Sequence, residues 1–274
     1  MEIGNSTVFL LTDFSDHARN ACIYAIDLFK NQVNYVLINT FQTREAQVTL
    51  INLEEMAFDE SMSSLEQEKD WLLRKSKQTD LSIEICSKNG RITDVINSLI
   101  PKYDVAVAVV GTKGRSNLES LLIGSNTKNI MRHVKLPVLS IPITAVFNGV
   151  KQGVVASEIK AVLGKSTVNR INKWKDFFNL NLKAVTVRGG NSPLSNQEIA
   201  TIDKIVKQLE IKDFEVEENE SVPLGLCKFI AAHDTDLLIL IAKHTGFFNR
   251  IFHRSVTNEM LGISLMPILI LEDN

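Results

Sequence analysis

The sequence predicts an α/β protein built as two tandem open-sheet domains, on three observations. Short apolar runs alternate with helical stretches, DVAVAVV at 104–110 is answered by DLLILI at 236–241, and PVLSIP at 137–142 is answered by PILILE at 267–272. Alternating strand and helix argues for βαβ units around a parallel sheet. Motifs returning in the same order argue for an internal repeat, whose prolines are 130 residues apart. A length of 274 residues also favours two domains.

In chain order, the first half reads as a strand at 7–11, a helix over 16–30 and a strand at 35–39. After an insertion come a strand at 82–87, a helix, and a strand at 105–110. The strands are almost wholly apolar rather than alternating, as when helices cover both faces of a sheet. Within the insertion at 41–80, residues 61–78 read as a helix, with Ser64 and Gln67 as a capping box and Leu65, Leu72 and Leu73 on one face. Its charges read as solvated. Residues 43–59 read as a tethered surface loop, with a lid over a site as the alternative. Ser125 and Ser255, again 130 apart, each stand as an N-cap ahead of a helix. The turn signals Asn148-Gly149 and Gln152-Gly153 place the boundary within 143–153, giving domains at 1–146 and 147–274.

Composition excludes several classes. Thirty basic against 32 acidic residues leave a net charge of -2, so no broad positive field favours nucleic acid. The longest apolar runs, 105–110 and 237–242, fall far short of the roughly 20 residues that span a bilayer as a helix. Glu2 precedes, and Asp13 follows, the first apolar stretch, which suits no signal peptide; the expected location is cytoplasmic, with no membrane partner. Cys22, Cys86 and Cys227 are odd in number and widely spaced, and read as buried free thiols.

The strand at 105–110 runs into Gly111, Thr112, Lys113, Gly114 and Arg115, and further on Gly124 and Ser125 open a helix. Gly111 lets a phosphate approach the backbone, Gly114 lets the loop turn, and the helix start presents free N–H groups and a positive dipole end. A helix N-terminus over a glycine loop is an anion site. Lys113 and Arg115 add positive charge. The same residues also serve as a tight turn before an ordinary capped helix, and glycine counting does not separate the two.

Gly111, Gly114, Gly124 and Ser125 fill every fixed position of G-x2-G-x9-G-[S/T], and in this the sequence resembles the universal stress protein family. VFLLTDFSD at 8–16 is similar to the family's opening strand, and Pro137, Val138 and Leu139 match the motif before its last strand. The resemblance spans residues 1–146. It implies the adenine nucleotide alpha hydrolase-like fold, with a mostly parallel five-stranded sheet flanked by helices in each domain. It implies ATP at the carboxyl ends of the first and fourth strands, with Mg²⁺ held only through the phosphates. Carried over by position, Asp13, beside Thr12, holds the ribose, and Thr40 offers backbone groups to adenine. Gly111, Thr112, Gly114, Arg115, Gly124, Ser125 and Asn126 lie about the phosphates. Pairing through the final strands implies an intramolecular pseudo-dimer of 137–141 with 267–271, or a homodimer of chains.

The second half departs from this pattern. Ala242 is read in place of the first glycine and Arg254 in place of the third, with the loop one residue shorter; Ser157 aligns with Asp13 and loses the aspartate. The second site is therefore expected to be inactive for ATP. Arg250, His253 and Arg254 remain a candidate anion cluster, and Phe247, Phe248 and Phe252 read as packing residues.

Gly164-Lys165-Ser166-Thr167 imitates a P-loop end, but the required earlier glycine is Ile159. The five histidines form no HExxH or other metal spacing, and no G-x-S-x-G elbow exists. The reading is an ATP-binding, nucleotide-dependent stress-response regulator acting on an unidentified client. The alternatives are a slow Mg-dependent ATPase, for which no residue positions the attacking water, and a nucleotide-free interaction scaffold.

Overall fold

The computed structural model describes residues 3–43, 53–76, 78, 80–112, 129–130, 133–157, 163–190, 192–242 and 266–272. Among these the chain divides into two units between Phe147 and Asn148.

In the first unit, strands β1 (Thr7–Leu11), β2 (Asn34–Phe41), β3 (Ile83–Asn89), β4 (Val105–Thr112) and β5 (Val138–Pro142) lie in the order β3-β2-β1-β4-β5. Every neighbouring pair is parallel. All five residues of β1 are buried, which is why its uniformly apolar sequence shows no alternation.

Helix α1 (Asp16–Phe29) follows β1. Ser15 caps it by accepting the Ala18 N–H, and Ala18, Ala21, Cys22, Ala25, Ile26 and Phe29 make its buried face. Helix α2 (Leu53–Lys75) begins well ahead of Ser64, so Ser64 is an interior residue and not a cap. Residues 53–59, expected in a loop, are its first turns. Glu54 and Glu55 at its start and Arg74 and Lys75 at its end complement the helix dipole. Ser61, Leu65, Glu68 and Leu72 form its buried stripe, while Leu73 is only half-buried. Helix α3 (Ile92–Leu99) precedes β4.

The second unit repeats the plan, with β6 (Gln152–Ala156), β7 (Asn181–Arg188), β8 (Phe214–Glu218), β9 (Leu237–Ala242) and β10 (Ile268–Glu272) in the parallel order β8-β7-β6-β9-β10. Its helices are α4 (Lys165–Phe178), α5 (Asn196–Leu209) and α6 (Val222–Ala232). Ser195 and Glu198 form a reciprocal capping box on α5. Each unit thus has the five parallel strands that the resemblance implies. Among the described residues no helix is long and apolar enough to cross a membrane.

Candidate functional site

Strand order locates the site before any side chain is considered. In the first unit the chain builds outward from β1 through β2 to β3, then returns to lay β4 on the other side of β1. Reversal between β1 and β4 leaves a crevice outside their carboxyl ends, where open parallel sheets take ligands. Asp13 follows the end of β1, and Gly111 lies near the end of β4.

The turn from β1 into α1 is tightly held. Asp13 is exposed, and its Oδ1 accepts the Ser15 N–H at 3.1 Å and the Ser15 hydroxyl. Thr12 is buried and its polar groups are engaged: Oγ1 accepts the Phe14 N–H at 2.9 Å, and the carbonyl accepts Asn39 Nδ2 at 2.8 Å. Asn39 Oδ1 in turn accepts the Ser61 hydroxyl at 2.8 Å, and Ser61 Oγ accepts the Ser87 hydroxyl at 2.6 Å. This buried polar chain joins β1, β2, α2 and β3.

Thr40 lies within β2, not after it. The Thr12 N–H donates to the Ile38 carbonyl at 3.0 Å, and the Phe41 carbonyl accepts the Gly90 N–H at 2.9 Å from the β3 side. Main-chain groups alternate between the two flanks of a strand, so the N–H and C=O of Thr40 face the β1 side, past the last paired residue of β1.

Gly111 answers a demand from within the protein that the sequence does not show. A Cβ there meets the His17 carbonyl oxygen at 2.3 Å and the Ala18 nitrogen at 2.9 Å, so the space on the Cβ side is filled by the first turn of α1. The glycine lets α1 pack directly on the end of β4. Thr112 is buried, and its carbonyl accepts the Ile143 N–H at 3.1 Å, bracing the exit from β5.

Beside this crevice an open groove of about 610 Å³ lies across the ends of β2 and β3, lined by Phe41, Glu54, Glu55, Phe58, Lys88 and Asn89 together with Ser87. Behind it, α1 and α2 are clamped by Arg19 and Glu68. The Arg19 Nε reaches both Glu68 oxygens at 3.2 and 2.8 Å, and its guanidinium lies 5.1 Å from the centre of the Trp71 ring. Glu68 is buried, so its charge serves packing and not the solubility read from the sequence. The Glu68 hydrogen bond holds the Arg19 guanidinium above its ordinary value. Burial, with Glu68 and Asp13 nearby, pushes the Cys22 thiol up. Sequence reasoning missed Asn39, Ser61, Ser87, Arg19 and Glu68. Only the spacing of Ser61, Leu65, Glu68 and Leu72 on one helical face could have shown two of them.

Ladder registers correct the comparison of the two halves. The Ser157 N–H donates to Val185 as Thr12 does to Ile38, which makes Ser157 the counterpart of Thr12 and puts Glu158, not Ser157, at the position of Asp13. Gly111 pairs with Ile141 and Ile241 with Leu271, so Ile241, not Ala242, replaces the first glycine, and the constant spacing of 130 means the loop is not shortened. Gly164 is the N-cap of α4. Glu158 lies outside the described residues, as do Gly114, Arg115, Gly124, Ser125 and Asn126 of the first half. So do Arg250, His253, Arg254, Phe247, Phe248 and Phe252 of the second. No group of three or more metal-ligating side chains occurs among the described residues.

A family model described as the universal stress protein family matches residues 5–142, half of the chain. The chain belongs to the universal stress protein family. Over its whole length it is also similar to the crystal structure of a universal stress protein from Archaeoglobus fulgidus, with a TM-score of 0.73 at 13% identity and 98% of both chains covered. A protein of unknown function from Pseudomonas aeruginosa follows the same fold, with a TM-score of 0.59 at 9% identity over 98% of this chain and 93% of that one. An uncharacterized protein of Schizosaccharomyces pombe is 22% identical over 139 residues; this universal stress protein matches 23% of its length.

Proposed function

We propose that the first unit binds an adenine nucleotide, with ATP as the ligand, and that the bound nucleotide sets a conformational state read by a client protein in a stress response. The observation that carries this reading is the crevice between β1 and β4. There the Asp13 carboxylate stands exposed, and the adjoining strand turns the main-chain N–H and C=O of Thr40 past the end of β1. One donor and one acceptor on a single residue suit the N1 and N6 edge of adenine, and a carboxylate suits ribose hydroxyls. Gly114, Arg115, Gly124, Ser125 and Asn126 are proposed for the phosphates, with Mg²⁺ bridging phosphate oxygens only.

Mass spectrometry of the small molecules that copurify with the full chain tests this reading. An adenine nucleotide at near one equivalent is expected, and it should be absent from a folded Gly124→Val variant. Nucleotide-free protein that also fails to bind added ATP would favour the interaction scaffold. Phosphate release from ATP that requires Mg²⁺ would favour slow hydrolysis, for which no attacking-water residue is named. Pairing of 137–141 with 267–271 is proposed from family membership, and cysteine cross-linking between those segments tests it. A cytoplasmic location is likewise a proposal, which fractionation tests.

A further inference from the structure

The buried polar chain behind Asp13 has one direction. Thr12 C=O can only accept, so the group of Asn39 facing it is the amide nitrogen, and Oδ1 faces the other way. Oδ1 can only accept, so the Ser61 hydroxyl donates to it, and the Ser87 hydroxyl supplies the bond that Ser61 Oγ accepts. Each side chain donates once toward β1, and all three are buried. Bonds in series of this kind polarise one another and fix orientation in a core.

Their end point is the peptide between Thr12 and Asp13. Holding the Thr12 carbonyl fixes that peptide plane, from which the Asp13 side chain and its turn to Ser15 project. Regular strand pairing has already stopped at Leu11, so side chains do here what the ladder does elsewhere. In the second unit Thr186 stands at the position of Asn39 and Val216 at that of Ser87, and the buried Ser157 Oγ has no hydrogen-bond partner among the described residues. The chain thus goes with the tight turn of the first unit.

We infer that Asn39, oriented by Ser61 and Ser87, is a positioning residue that holds the Thr12–Asp13 peptide so that Asp13 is presented to the ribose of the bound nucleotide. The ligand half of this statement rests on the nucleotide reading above; the positioning half does not.

Two measurements on the full chain separate them. In ligand-free protein, amide exchange of Phe14 and Ser15, whose N–H groups close the turn on Thr12 Oγ1 and Asp13 Oδ1, should quicken about tenfold in Asn39→Leu, the worth of about one hydrogen bond. Val8 and Leu10 should be unaffected. Ser61→Ala should move the same two amides in the same direction but less, and it carries the test should Asn39→Leu not fold. With nucleotide, Asn39→Leu should lose the preference for ATP over 2′-deoxyATP while still binding both. Exchange that rises no more at Phe14 and Ser15 than at Leu10 would overturn the positioning role. Quickened exchange in a protein that binds neither nucleotide would uphold positioning and defeat only the ribose assignment. A merely structural role would lower both affinities together and leave their ratio unchanged.

Discussion

The two units share strand order and ladder register, yet they differ at the carboxyl ends of the first and fourth strands. Four residues join β1 to α1, and eight join β6 to α4. With the short turn, α1 begins so early that its His17 carbonyl occupies the space above Gly111, and no side chain fits there. In the second unit, where the helix starts later after its strand, the equivalent position holds the buried Ile241. The glycine thus goes with the early start of the helix that packs on it. The sheets match, and the difference falls on the crevice that the first unit offers to a ligand.

Exchanging that residue is the largest perturbation available. Gly111→Ile should cost at least about 3 kcal/mol, because the clash is with backbone that cannot rotate away, and even Gly111→Ala should be plainly destabilising. Urea unfolding measures it. A stable Gly111→Ile protein would mean that α1 can shift and that the coupling between turn and glycine is wrong.

A smaller contrast concerns ion pairs. Glu68→Ala should cost about 1–3 kcal/mol, below the range for a fully buried pair because the Arg19 side chain is 37% exposed and rehydrates. In the second unit Lys228→Ala, at a pair whose lysine is 71% exposed, should cost under about 0.5 kcal/mol. Equal costs would remove the distinction between clamp and surface pair.

Helix caps should respond alike in both units, at about 1 kcal/mol each for Ser15→Ala and Ser195→Ala. Each hydroxyl also donates to a carboxylate, Ser15 to Asp13 and Ser195 to Glu198, so clearly unequal losses would break this likeness.

The smallest effects concern the thiols. Burial raises Cys22, so in native protein at pH 8 it should react with an alkylating reagent more slowly than the half-buried Cys86 or Cys227. A thiol raised in the fold stabilises below the unfolded thiol value, and that contribution is lost as pH rises above it. Alkaline unfolding should therefore begin above the ordinary thiol range, and faster native labelling of Cys22 would contradict its burial.

Much of this fold was legible in the residues. β1 was read with its observed bounds because a strand covered on both faces is written as one apolar run. α2 was read too short because Leu53 and Met56 at its start are exposed, so its first turns carry no apolar period. The two halves could be aligned at the fourth and fifth strands by their constant spacing of 130, but not at the first, where register gives 145. Gly111 was found but its packing against α1 was not, since a close approach by a helix and one by a ligand place the same demand on a residue. Asn39, Ser61 and Ser87 stayed hidden because their bonds join distant segments, and a polar residue in an apolar strand carries no mark of its partner.

Calorimetric titration of ATP into the full chain with Mg²⁺ tests for a single nucleotide site per chain, in the first unit. One site is predicted, weakened at least tenfold by Asp13→Ala, which removes a charged hydrogen-bond partner, and unaffected by Glu158→Ala. Two equivalent sites, or one site lost with Glu158 and kept without Asp13, would contradict it.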